Sequence, residues 1–332
     1  MKAFRCRVCD ATLHVENSLC LQCGSALGYS RDEHALVPLT DGRYHDAGGT
    51  VWSVCPQLDV VGCTWLTRDP DALCDACRLT RTRPADDDEV GMAAWPAAEQ
   101  AKRHLLLELD SLGWRVPGLA EEPDSGLCFD LLSSTRTDVV IGHADGVVTI
   151  DLAETDDAHR ERVRAELAEP YRTMLGHFRH EVGHYAQWRL VRDPALQERG
   201  RALFGDERED YQAALDRHYA DGPPAGWEES HLSAYATMHP AEDFAETWAH
   251  YLHIADTVET AREYGLLAIG GVADFSSFRD LVTGVWMPLS VALNQVNRSM
   301  GKDDLYPFVI PGPALDKLDF VADLLPGARA LR

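Results

Sequence analysis

The sequence predicts an α+β protein in which a cysteine-rich double-ribbon module precedes a mainly helical domain with a small β-sheet. Three observations lead there. Eight of the nine cysteines lie between Cys6 and Cys77, in pairs. The segments "GLCFDLLSS" and "DVVIGHADGVVTIDL" have the composition of strands, the second with a turn at "HADG" that reads as a hairpin. From Asp157 onward the pattern is mostly helical.

The cysteine module comes first in the chain. "CRVC" (Cys6, Cys9) and "CLQCG" (Cys20, Cys23) are two C-x-x-C turns. One such turn places two thiolates on one side of a metal, and a second completes a tetrahedron around zinc. Gly24 suits the tight backbone of the second turn. "CDAC" supplies Cys74 and Cys77, and the looser pair Cys55 and Cys63, separated by "PQLDVVG", completes a second four-cysteine site. Cys128, within "GLCFDLL", reads as a core residue. So short and turn-rich a segment buries little apolar surface, so bound metal has to supply folding energy. The charged, proline-containing stretch "RTRPADDDEVG" then reads as a linker, dividing the chain into a module over 1–83 and a domain over 92–332. After it, "AAWPAAEQAKRHLLLELDSLGW" predicts a helix starting near Pro96, with Leu105, Leu106, Leu109 and Leu112 at helical spacing.

Composition narrows the function classes. At 45% hydrophobic and 26% charged residues, the chain has the make-up of a soluble globular protein. No apolar run is long enough for a membrane span, and "MKAFRCRVCD" has no apolar signal-peptide core, so a cytoplasmic location is expected. The net charge of −23 is unevenly spread: residues 1–83 hold 9 Lys and Arg against 10 Asp and Glu, the remainder 22 against 44. Such a surface repels nucleic acid and anionic membranes, so neither is expected as a partner.

The chemistry sits in "GHFRHEVGHYAQW", residues 176–188, which carries His180, Glu181 and His184 as H-E-x-x-H. The two histidines lie one turn apart on one helix face and can share a zinc ion. Glu181 beside them can take a proton from a water the metal has acidified. A third ligand is needed. The extended motif with a third histidine is excluded, because Gln187 and Leu190 stand where it has Gly and His. A glutamate from a second helix remains, in "SAYATMHPAEDFAETWAHYLHI", residues 233–254. Pro240 suits the first turn of that helix, and the acids after it suit its positive end. Glu242, Glu246, His250 and His253 form one polar stripe beside Phe244, Trp248 and Leu252. Buried carboxylates require a partner or a metal. Glu242 as the third zinc ligand, with Glu246 holding a ligand histidine by its other ring nitrogen, meets that requirement. His250 and His253 lie too far along the helix to share the ion. His239 reads as a helix cap, His177 as a surface or core residue, and Arg298 as the partner of an acid.

These stretches, with "NRSMGKDDLYPFVI" and the cysteine turns, resemble a bacterial family of zinc-binding metallopeptidases that carry an N-terminal zinc-ribbon domain. That resemblance covers nearly the whole chain. The catalytic core alone also resembles the anthrax lethal factor group of gluzincins, which combine HExxH with Y-x6-E-x-x-A-E, here Tyr235, Glu242, Ala245 and Glu246. The resemblance implies zinc ligands His180, His184 and Glu242, the base Glu181, a supporting Glu246, and Tyr235 as a stabiliser of the developing oxyanion. It implies hydrolysis of a peptide or related amide bond in a peptide or protein substrate. One catalytic and two structural zinc ions are expected, with the ribbon module available for protein contacts. The alternative is a zinc-dependent scaffold with an idle HExxH site; intact Glu181 and Tyr235 favour the enzyme.

Overall fold

A computed structural model describes residues 2–135, 139–156, 173–268 and 275–325. The first part of the helical stretch expected from Asp157, residues 157–172, lies outside the described residues.

The N-terminal module is built of short antiparallel pieces. β1 (Phe4–Arg5) pairs with β2 (Thr12–Leu13), and β3 (Leu27–Ser30) with β4 (Ala35–Pro38). β5 (Arg43–His45), β6 (Val51–Val54) and β7 (Leu66–Thr67) form a three-stranded sheet. The four thiols of Cys6, Cys9, Cys20 and Cys23 converge, as do those of Cys55, Cys63, Cys74 and Cys77, each set within 4.8 Å. Cys6 and Cys23 Sγ are 3.7 Å apart, and Cys9 and Cys20, like Cys63 and Cys74, 3.6 Å. A zinc tetrahedron with Zn–S bonds of about 2.3 Å has edges of roughly 3.8 Å, so both sets fit that ion. The gap between Cys55 and Cys63 coils into one helical turn, α1 (Leu58–Val61), which ends on Gly62 at φ 66°. That turn folds the chain back on itself, which is why the wide spacing still delivers two adjacent thiols.

The expected linker, residues 81–91, meets regular structure at both ends. Thr80–Thr82 forms β8, which runs parallel to β9 (Cys128–Leu132), and Arg81 Nε donates to Asp130 Oδ1 at 2.9 Å. The helix placed near Pro96 starts earlier: α2 spans Glu89–Ser111, and Asp88 accepts from Gly91 N–H as its cap. Pro96 therefore lies inside the helix, where the apolar face from Trp95 to Leu109 holds it against the core despite the lost hydrogen bond. A buried network in which Lys102 and Thr80 both donate to Glu99 ties β8 to α2. Arg31 binds Asp110 through two bonds of 2.7 Å, joining ribbon and helix.

β10 (Gly142–Ala144) and β11 (Val147–Asp151) form the expected hairpin, turning at Asp145 and Gly146, both with positive φ. The sheet order is β10-β11-β9-β8, with β9 parallel to both neighbours. Against it pack α3 (Met174–Leu190), through Phe178 on Phe129 at 5.5 Å, and then the rest of the helical layer. That layer comprises α4 (Pro194–Phe204), α5 (Tyr211–Asp221), α6 (Pro240–Glu263), α7 (Phe278–Leu281), α8 (Met287–Ser299) and α9 (Gly312–Leu324). Trp114 stacks on Tyr185 and meets Trp248 edge-on at 5.5 Å in the core between α3 and α6. Among the described residues, no helix is long and apolar enough to cross a membrane.

Candidate metal centre

α3 and α6 carry the site, and what aligns them is a close backbone approach. Thr173 caps α3 by accepting from Gly176 N–H at 3.0 Å. A Cβ on Gly183 would lie 2.9 Å from Ala245 Cα and 3.2 Å from its carbonyl oxygen, so only glycine lets the helices touch there. That contact sets Glu242 across from the two histidines. His180 Nε2 lies 3.0 Å from Glu242 Oε2, and His184 Nε2 lies 3.4 Å from Oε1. Zinc bonds of about 2.0–2.1 Å give tetrahedral edges of roughly 3.3 Å, so these donors fit a zinc ion.

The charges around the donors point the same way. Glu246 Oε1 meets His180 Nδ1 at 2.8 Å, and Ser233 Oγ donates to Glu246 Oε2 at 2.6 Å. Burial alone would lower the His180 pKa, but hydrogen bonds to Glu242 and Glu246 outweigh it and raise it well above the ordinary range. Burial likewise pushes Glu246 up, yet the bond to His180 holds it at about 2. Burial pushes the Glu242 carboxyl up as well, yet the charge of His184 and the hydrogen bonds to His180 and His184 hold it well below its usual value. The pocket is built around positive charge, and a bound dication would take the place of the imidazolium proton.

Glu181 is 6% exposed, and its Oε2 is buried with no hydrogen-bond partner. His177, for which a place at the surface or in the core is expected ahead of one in the cleft, lines the cleft with its Nε2 3.5 Å from Glu181 Oε1, because one turn of α3 places it on the motif's own face. Tyr235 opens a short 3-10 turn, Tyr235–Thr237, its ring 6.1 Å from that of His180. Burial and then the charge of Glu242 push its phenol far above the usual range, so it stays protonated. The cleft that these residues line encloses about 1420 Å³. His239 does cap α6, its Nδ1 accepting from Ala241 N–H at 3.1 Å. His250 is turned away to the Tyr306 hydroxyl at 2.7 Å, and His253 packs by Tyr306 and Trp286. Arg298 pairs with Asp304.

Comparison with known proteins gives the chain's family. Residues 91–324 match the model of a family described as putative zinc-binding metallo-peptidase, and residues 3–88 match a zinc-ribbon domain. The chain belongs to this family of zinc-binding metallopeptidases. Over 329 residues the metallopeptidase chain is 48% identical to an uncharacterized protein of Mycobacterium bovis, covering 97% of this chain and 94% of that one. Uncharacterized proteins from two strains of Mycobacterium tuberculosis show the same identity and coverage. No solved structure matches.

Three residues of the metallopeptidase site escape a reading of its sequence. Gly183 left a usable signal: a glycine inside a helix costs about 1 kcal/mol relative to alanine, so its presence implies close packing. Ser233 and Tyr211, which donates to Glu242 Oε1 at 3.0 Å, left none. Both reach the site through tertiary packing.

Proposed function

We propose that this metallopeptidase hydrolyses a peptide or related amide bond at a gluzincin-type site, with zinc held by His180, His184 and Glu242. The observation that carries the reading is the convergence of those three donors beside a buried Glu181 oxygen that lacks a partner. Zinc bound there supplies a Lewis acid that polarises the substrate carbonyl and makes water acidic enough to react near neutral pH. Glu181 Oε2 takes the proton from the attacking water and returns it to the departing amine. Tyr235 donates its phenolic hydrogen to the carbonyl oxygen as that oxygen gains charge. Glu246, held by Ser233, fixes the ring of His180. The lethal factor-like spacing of Tyr235, Glu242 and Glu246 supports these roles. An unbiased peptide-library digest tests the reading, with Glu181→Gln as control. Cleavage by the wild type alone supports it, whereas cleavage by neither variant returns the chain to the scaffold alternative.

The two cysteine sites and the histidine–glutamate site imply three zinc ions per chain, two of them structural. Elemental analysis of freshly purified protein should approach that ratio. Double substitution of Cys74 and Cys77 should remove one equivalent, and a ratio left unchanged would show the second cysteine site to be empty. We place the protein in the cytoplasm, acting on peptide or protein substrates and not on nucleic acid or membranes, with the module over 1–83 available for protein contacts beside the catalytic domain over 92–332.

Glu246→Gln should keep α6 but weaken the hold on His180, lowering zinc affinity on the order of ten- to a hundredfold. Chelator competition measures it. Unchanged zinc retention would reduce Glu246 to a packing role.

A further inference from the structure

Glu242 is 2% exposed and has two oxygens to place. Oε2 faces His180 Nε2 at 3.0 Å. Oε1 faces His184 Nε2 at 3.4 Å and also accepts the Tyr211 hydroxyl at 3.0 Å. Tyr211 is well anchored for this. It opens α5, whose cap Asp210 accepts from Ala213 N–H at 3.0 Å. Its ring packs 5.2 Å from that of His239, which caps α6 just ahead of Glu242. The Tyr211 hydroxyl thus ties the start of α5 to the carboxylate of Glu242.

We propose that Tyr211 is a positioning residue that holds the Glu242 carboxylate in place opposite His180 and His184. A buried carboxylate held by a hydroxyl keeps one orientation, so its oxygens face the two histidines without further loss of freedom when an ion binds. Outer partners of this kind are worth about ten- to a hundredfold in metal affinity or activity.

The inference rests on the three-donor zinc site proposed above, not on hydrolysis itself, so its test reads zinc binding first. Tyr211→Phe keeps the ring on His239 and removes only the hydroxyl. Zinc affinity of the full chain, by competition with chelators of graded strength, should fall about tenfold or more. The far-UV circular dichroism of the full zinc-loaded chain should be unchanged. Because Tyr211 acts through Glu242, adding Tyr211→Phe to Glu242→Ala should cost nothing further. On any peptide the wild type cleaves, kcat should fall with KM nearly constant. If Glu242→Ala weakens zinc binding while Tyr211→Phe does not, or if the two losses simply add, the proposal is overturned and the metal site stands. If Glu242→Ala itself leaves zinc binding intact, the three-donor site falls and this inference with it.

Discussion

Glu181→Gln is expected to retain the zinc of the wild type and lose nearly all hydrolysis, by roughly a hundredfold to ten-thousandfold in kcat, the range for a positioned general base. The substitution keeps size and shape while removing the ability to take a proton. Glu181 is not among the three converging donors, so metal content should not move. Its Oε2 is buried and without a hydrogen-bond partner, so the new amide disrupts no bond at that oxygen. His184→Ala, by contrast, removes a donor and should lose both zinc at this site and activity. Peptide-library cleavage alongside elemental analysis separates the outcomes. Should Glu181→Gln cleave as fast as wild type, the hydrolysis originates elsewhere and the assignment of the base is wrong.

Tyr235→Phe should lower kcat by about a hundredfold, as for the loss of one donor to a developing oxyanion, with zinc content and melting temperature little changed. The phenol lies on the wall of the cleft beside His180 and stays protonated, so it is available as a donor throughout the neutral range. Its ring is held on the other side by His218 at 6.0 Å, and phenylalanine preserves that packing. Steady-state kinetics on a cleaved peptide decides between donor and packing roles. Turnover equal to wild type would make Tyr235 a core residue and leave the chemistry to Glu181 and the metal.

How much of this was legible beforehand depends on the range of the interaction involved. The C-x-x-C turns, the HExxH face and the stripe of Glu242 and Glu246 are patterns within one turn or one helix, where backbone geometry alone brings the side chains together. The pairing of thiols within each C-x-x-C turn follows those local spacings, whereas the contacts from His180 to Glu242 and Glu246 cross from α3 to α6. Pro96 misled because proline marks helix starts in general, whereas here the buried face of α2 carries the helix through it. The charged stretch 81–91 reads as a linker because its composition is that of loops; pairing with β9 draws its first two residues into the strand Thr80–Thr82, and α2 takes it up again from Glu89.

The sequence by itself determined the paired-cysteine turns, the two helices that carry the candidate metal donors, and the acidic charge of the helical half. Tertiary structure alone decided that Gly183 meets Ala245, that Ser233 braces Glu246, and that Tyr211 takes one oxygen of Glu242. It also decided that His177 faces the cleft beside Glu181. The reason is physical. Helical period and turn chemistry are properties of neighbouring residues, whereas the donor to a buried carboxylate is whichever hydroxyl the packing of separate helices brings within 3 Å, and no local pattern encodes that distance.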